Sequence, residues 1–104
     1  MEGWRCALLL GFTLGVGSAQ EFRPPRAWVF ANHITPILTF AGCNQSACHG
    51  SPVGKNGFKL SLYGADPRAD HAALLKNRVD VRNIDASALL RKPTMQVPHG
   101  GGPR

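Results

Sequence analysis

Cys43-Asn44-Gln45-Ser46-Ala47-Cys48-His49-Gly50 holds two cysteines with a histidine directly behind the second. A thiol pair followed at once by an imidazole is the arrangement that attaches c-type haem. Each thiol adds to one vinyl group of the porphyrin, and the imidazole reaches the iron as proximal ligand. Four residues separate the cysteines here, where two are usual. The longer linker keeps the covalent logic, because Asn44 to Ala47 need only bulge away from the porphyrin edge. Adjacency of Cys48 and His49 is the stricter demand, and it is kept.

The sequence on either side of this stretch reads as short helices and long loops. Thr35-Pro36 looks like an N-cap followed by proline at the first helical position. Ile37, Leu38, Phe40 and Ala41 fill a short apolar helix, and Gly42 permits the turn that delivers Cys43. Upstream, residues 20–33 form a stiff, extended lead-in around Pro24-Pro25, closing on the apolar cluster Trp28-Val29-Phe30. Downstream, Pro52, Gly54 and Gly57 mark a loop, and Phe58 to Leu62 alternates apolar and polar as a short extended segment does. Asp66-Pro67 repeats the cap-plus-proline signal and opens a helix to about Asn77. Asp85 is expected to cap a last short helix through Leu89-Leu90 to Arg91, which Pro93 stops. The fold class expected is mainly α.

Residues 1–19 read as a signal peptide rather than as part of the fold. Met1 to Arg5 is a charged start, Cys6 to Val16 an apolar run of eleven residues, and Gly17-Ser18-Ala19 a small-residue cleavage site. Eleven apolar residues are too few to span a bilayer, which needs about 20. A periplasmic or secreted protein without a stable membrane span is expected. Cleavage leaves 85 residues and one small domain, and it removes Cys6, so Cys43 and Cys48 remain as a pair. A domain of that size buries a limited core and gains from a staple such as a disulfide, a metal or a covalent cofactor.

Twelve Lys and Arg against six Asp and Glu give a net charge of +6, unchanged once Arg5 and Glu2 leave with the signal. Such a surface can meet an acidic redox partner or anionic lipid. Export argues against nucleic acid, and the basic residues are scattered, with no run longer than Arg91-Lys92, as on an ordinary solvated surface.

Four blocks together carry a family resemblance: Ile37-Leu38-Thr39-Phe40-Ala41-Gly42-Cys43, Ala47-Cys48-His49-Gly50, Asn56-Gly57-Phe58-Lys59-Leu60-Ser61-Leu62-Tyr63-Gly64 and Val97-Pro98-His99-Gly100-Gly101-Gly102. The chain resembles the cytochrome c-like haem-binding segment at the N-terminus of large secreted planctomycete-type proteins, whose later parts are domains of unknown function. The resemblance covers about residues 34–104. It implies a small cytochrome c-like domain around one haem c, with Cys43 and Cys48 as the thioether residues and His49 as proximal iron ligand. The chain stops soon after Gly102 with no closing element, as the front piece of a longer polypeptide would.

Two other readings of the thiol pair stand beside haem. One is a plain disulfide closing a small loop in an oxidising compartment. The other is zinc held by two thiolates and two of His49, His71 and His99. The disulfide leaves the His49 adjacency unexplained, and zinc usually favours a second tight Cys or His pair, which is absent. For the distal iron ligand, His99 and Met95 both lie some 50 residues beyond His49. His99 is braced by Pro98 and by glycines that let backbone come close; Met95 precedes Gln96-Val97-Pro98; an open position is the third option. His71 reads as an exposed helix residue and His33 as a surface or capping residue. No paired carboxylates, nucleophile elbow or phosphate-cradling loop is present, so a catalyst is not expected. The expected function is that of an exported monohaem c-type cytochrome module passing single electrons to a redox partner protein. The alternatives are a disulfide-stapled interaction domain without haem, and a haem domain whose open site takes peroxide or a gas.

Overall fold

The computed structural model describes residue 15 and residues 17–104. The expected signal segment, residues 1–19, lies almost wholly outside them. Among the described residues the elements are helical and no strand forms. No described helix is long and apolar enough to cross a membrane.

Residues 17–29 carry no regular element, and helical structure starts at Phe30, inside the stretch read as lead-in. A π-helical turn, Phe30–Ile34, runs straight into α1, Thr35–Phe40. The reason is packing: Phe30 and Ile34 lie against the core and are drawn into the helical run. His33 Nδ1 accepts the Val29 N–H at 2.9 Å, so its role is a local cap. Thr35 is therefore not the N-cap. It is helical and buried, and its carbonyl accepts from the Thr39 hydroxyl at 2.9 Å. Pro36, which has no N–H to donate, stands at the junction where the π-helical turn gives way to α1.

Gly42 ends α1 with φ +78°. Its N–H bonds the Thr39 carbonyl at 3.0 Å and the Cys43 N–H bonds the Leu38 carbonyl at 2.9 Å. This pair of bonds is the Schellman stop, in which a left-handed glycine lets two orphaned helix carbonyls be satisfied. It fixes the direction in which Cys43 leaves the helix.

The segment read as extended keeps its alternation without a partner strand. Phe58 and Leu60 are buried and Lys59 is exposed, yet the only ladder-like contact there is an isolated bridge between Lys55 and Phe58. The Leu60 N–H reaches the His49 carbonyl at 2.8 Å instead. A short 3₁₀ turn, Leu62–Gly64, follows.

Helix α2, Pro67–Asn77, starts where the sequence indicates, with the Asp66 side chain accepting the Ala69 N–H. Its Asp70 is only 3 % exposed. That carboxylate accepts the Ser61 N–H at 2.6 Å and the Ser61 hydroxyl at 2.7 Å, clasping the extended segment to the helix. Asp70→Ala leaves a part-buried N–H and hydroxyl without an acceptor and should cost about 2–3 kcal/mol. Asp70→Asn, which can still accept one bond, should cost less. Denaturant unfolding of the two variants beside the unmutated chain checks both the size and the order.

The end of the chain differs from expectation at Asp85. It sits inside a 3₁₀ turn, Ile84–Ala86, and α3 is the short run Ala88–Arg91 behind Ser87. Asp80 organises this region instead: its Oδ1 accepts from Arg82 and Asn83 N–H groups, while its own N–H donates to the Ser87 hydroxyl at 2.8 Å. With Ser87 engaged by Asp80, the helix start moves past Asp85.

Leu38, Phe58, Leu60 and Leu74 form the buried core, with Phe30, Ile34, Cys43, Ala73, Val79 and Leu89 packed around it. Four buried apolar side chains among the described residues are few for a domain, as expected of a chain this short.

Candidate functional site: an apolar cavity with two thiols and two imidazoles

The C-terminal end of α1, the Cys43–Gly50 loop, Phe58, α3 and the turn around His99 surround one cavity of about 830 Å³. Cys43, Cys48, His49 and His99 all line it. Apart from them the wall is largely aliphatic, including Ile34, Ile37, Leu38, Leu89 and Leu90. A largely apolar concavity with a few convergent polar groups is what holds a cofactor-sized ligand.

The loop between the cysteines is pinned rather than free. Gln45 and Ser46 are exposed and turned away from the cavity, while Ala47, also exposed, borders it. Asn44 instead turns inward and is 1 % exposed. Its Nδ2 donates to the Thr39 hydroxyl at 2.8 Å and its carbonyl accepts from Tyr63 at 3.1 Å. The Cys48 and Gly50 N–H groups both bond the Gln45 carbonyl, and the His49 N–H bonds the Cys43 carbonyl at 3.0 Å. Gly50 has no room for a side chain: a Cβ there would stand 2.1 Å from the Asn44 carbonyl oxygen. Gly50→Ala must therefore open this loop and displace Cys48 and His49 together. The expected result is poor accumulation of folded protein and a drop in thermal midpoint, read by circular dichroism, whereas Ser46→Ala at the exposed crest should change little.

Cys43 and Cys48 are free thiols, each partly buried. Burial pushes the Cys43 thiol above the ordinary cysteine value, with Arg104 pulling the other way, so it stays protonated. His49 Nδ1 lies 2.9 Å from the Phe58 carbonyl. A carbonyl only accepts, so Nδ1 carries the proton and Nε2 offers its lone pair. Burial also lowers the His49 pKa, opposed by that same hydrogen bond and assisted by His99, Arg78 and Lys92, which favours the neutral ring a metal needs. The Phe58 ring packs on the imidazole with centroids 4.6 Å apart.

His99 repeats the arrangement. Its Nδ1 lies 2.8 Å from the Gly102 carbonyl, again leaving Nε2 free. The His49 and His99 rings are 6.5 Å apart between centroids and tilted by only 13°. Met95 is placed differently. It is 47 % exposed with φ +59° and is not among the residues lining the cavity.

Among the described residues, no three His, Cys, Asp or Glu side chains converge as a metal-ion site. His71 contributes to α2 and packs on Phe30 at 4.9 Å between ring centroids, without lining the cavity.

The sequence did not single out Asn44, the Phe58 carbonyl or Arg78 as parts of this site. Asn44 and Phe58 act through backbone atoms as well as side chains, which leave no residue-type signature. Arg78 lines the cavity from the end of α2 and was one cation among twelve basic residues.

No family model matches this chain, and no curated protein or solved structure matches it either.

Proposed function

We propose that this chain is a monohaem c-type cytochrome module of the cytochrome c-like kind found at the front of large secreted planctomycete-type proteins, and that it passes single electrons in the periplasm or outside the cell. One observation carries the reading. Two imidazoles, each with Nδ1 tied to a backbone carbonyl and Nε2 free, stand 6.5 Å apart on the wall of the same apolar cavity as two free thiols.

Cys43 and Cys48 would hold a porphyrin through thioether bonds, one to each vinyl group, and His49, beside those attachment points, and His99 would hold its iron. When bound, the haem supplies a one-electron ferric–ferrous couple. The chain's own residues do the rest. The Phe58 and Gly102 carbonyls orient the two rings and raise their basicity. The aliphatic wall keeps water away from the iron, and the His49–Phe58 packing fixes the proximal ring. Two imidazoles set a lower potential than a His/Met pair.

Producing the full chain in a host with a c-type maturation system and recording a pyridine haemochrome spectrum tests the reading. One haem per chain with both vinyl groups saturated is expected; a protein without haem absorption favours the disulfide-stapled alternative.

A further inference from the structure

The cavity wall carries Lys55, Arg78, Lys92 and Arg104 but no Asp or Glu side chain. Four cations around an apolar cavity, with no acidic side chain between them, is an unbalanced arrangement. Charge of one sign focused at the mouth of an apolar cleft attracts a ligand of the other sign. A ligand that satisfies both wall and rim is flat, apolar over most of its surface and anionic at an edge.

Arg78 is the cation held most firmly. Its Nη2 donates to the Asn56 carbonyl at 2.9 Å and its Nη1 to the Asn77 side chain at 2.8 Å. The guanidinium carbon lies 5.2 Å from the centre of the Phe58 ring, within cation–π range. Phe58 is the residue whose ring and carbonyl both contact His49, so Arg78 stands one aromatic ring away from the proximal imidazole. A guanidinium has five N–H donors. The two bonds named leave three for a ligand. Lys92, the residue just past α3, also lines the cavity. Arg104 acts on the Cys43 thiol, at the edge where the thioethers form, and a porphyrin carries its carboxylates away from its vinyl groups.

We infer that Arg78, seconded by Lys92, is the carboxylate-binding site of this cavity and receives a haem propionate through its free N–H donors. This rests on the haem reading above and adds the residue that neutralises the cofactor's acidic edge. A guanidinium fits a carboxylate with two parallel bonds, which a lysine cannot reproduce. A bare propionate favours the more positive ferric state, and a cation held against it offsets that, so the pair raises the potential above that of a haem whose propionate is unpaired.

The matured, haem-loaded chain supplies the test through two readings that electron-transfer activity does not enter. In Arg78→Gln the propionate-bending band of the resonance Raman spectrum should move, and the midpoint potential should fall. In Arg82→Gln, which removes an equal charge outside this cavity, the band should stay and the potential should move much less. Arg78→Lys, which keeps charge and bulk should the glutamine variant fail to mature, should shift the band while holding most of the potential. A band unmoved in both Arg78 variants overturns the assignment and leaves the haem reading standing. A matured wild-type chain without covalent haem overturns both.

Discussion

A chain carrying Cys43→Ala and Cys48→Ala together should leave a haem-maturation host with no haem that survives denaturing electrophoresis. Both thiols line the cavity and both are free there. Removing both leaves only two coordinate bonds and the apolar wall to hold a porphyrin, and these are lost when the chain unfolds. Each single variant should keep a haem through its remaining sulfur, at lower yield. The loss should extend to stability, because a domain whose buried core among the described residues is Leu38, Phe58, Leu60 and Leu74 has little core to spare. Haem staining after electrophoresis separates the outcomes: a stained band from the double variant would show that the cysteines are not the attachment points.

His99→Ala should convert a low-spin iron to a high-spin or water-ligated one, the second large effect. His99 is the imidazole facing His49, and its Nδ1 bond to Gly102 holds Nε2 available. Met95 has no route to replace it without rearrangement. Its N–H is tied to the Lys92 carbonyl at 3.0 Å, its backbone is in the left-handed region, and it is outside the cavity lining. Met95→Ala should therefore leave the visible spectrum unchanged, and relief of its positive φ would be absent, since alanine is no freer there. The unmutated ferric protein should lack the weak sulfur-to-iron band of methionine ligation. The reverse pattern, with Met95→Ala high-spin and His99→Ala normal, would move the distal assignment to the thioether. High-spin iron in the unmutated protein would favour an open site for peroxide or a gas.

The parts of the molecule legible in the sequence are those whose physics is local. Asp66-Pro67 opens α2 as read, because a carboxylate cap and a fixed proline φ need nothing from the rest of the chain. Gly42 stops α1 for the same kind of reason. Thr35 and Asp85 carry similar cap signals, and neither caps. At Thr35 the helical run is extended backwards by Phe30 and Ile34 seeking the core. At Asp85 the decisive partner is Asp80, five residues upstream, through Ser87. Tertiary contact outweighed a cap bond worth about 1 kcal/mol.

The site divides in the same way. The Cys43, Cys48 and His49 set was visible because adjacency in the chain enforces adjacency in space. That His99 shares their cavity and Met95 does not could not be read from spacing, since both lie about equally far from His49. The choice depends on the turn from Lys92 to Gly102, where backbone carbonyls decide which side chain faces inward. The spacing puts Asn44 in a bulge, and in the structure it is the buried peg on which that bulge hangs.

The most direct test is the intact mass of the purified full chain after denaturation, taken from a host that performs c-type maturation. The structure and the motif together call for a mass raised by one haem and for no thiol at Cys43 or Cys48 left to alkylate. A mass two hydrogens below the reduced chain, with those same thiols blocked, would mean a disulfide in place of the haem and would contradict the assignment of this cavity.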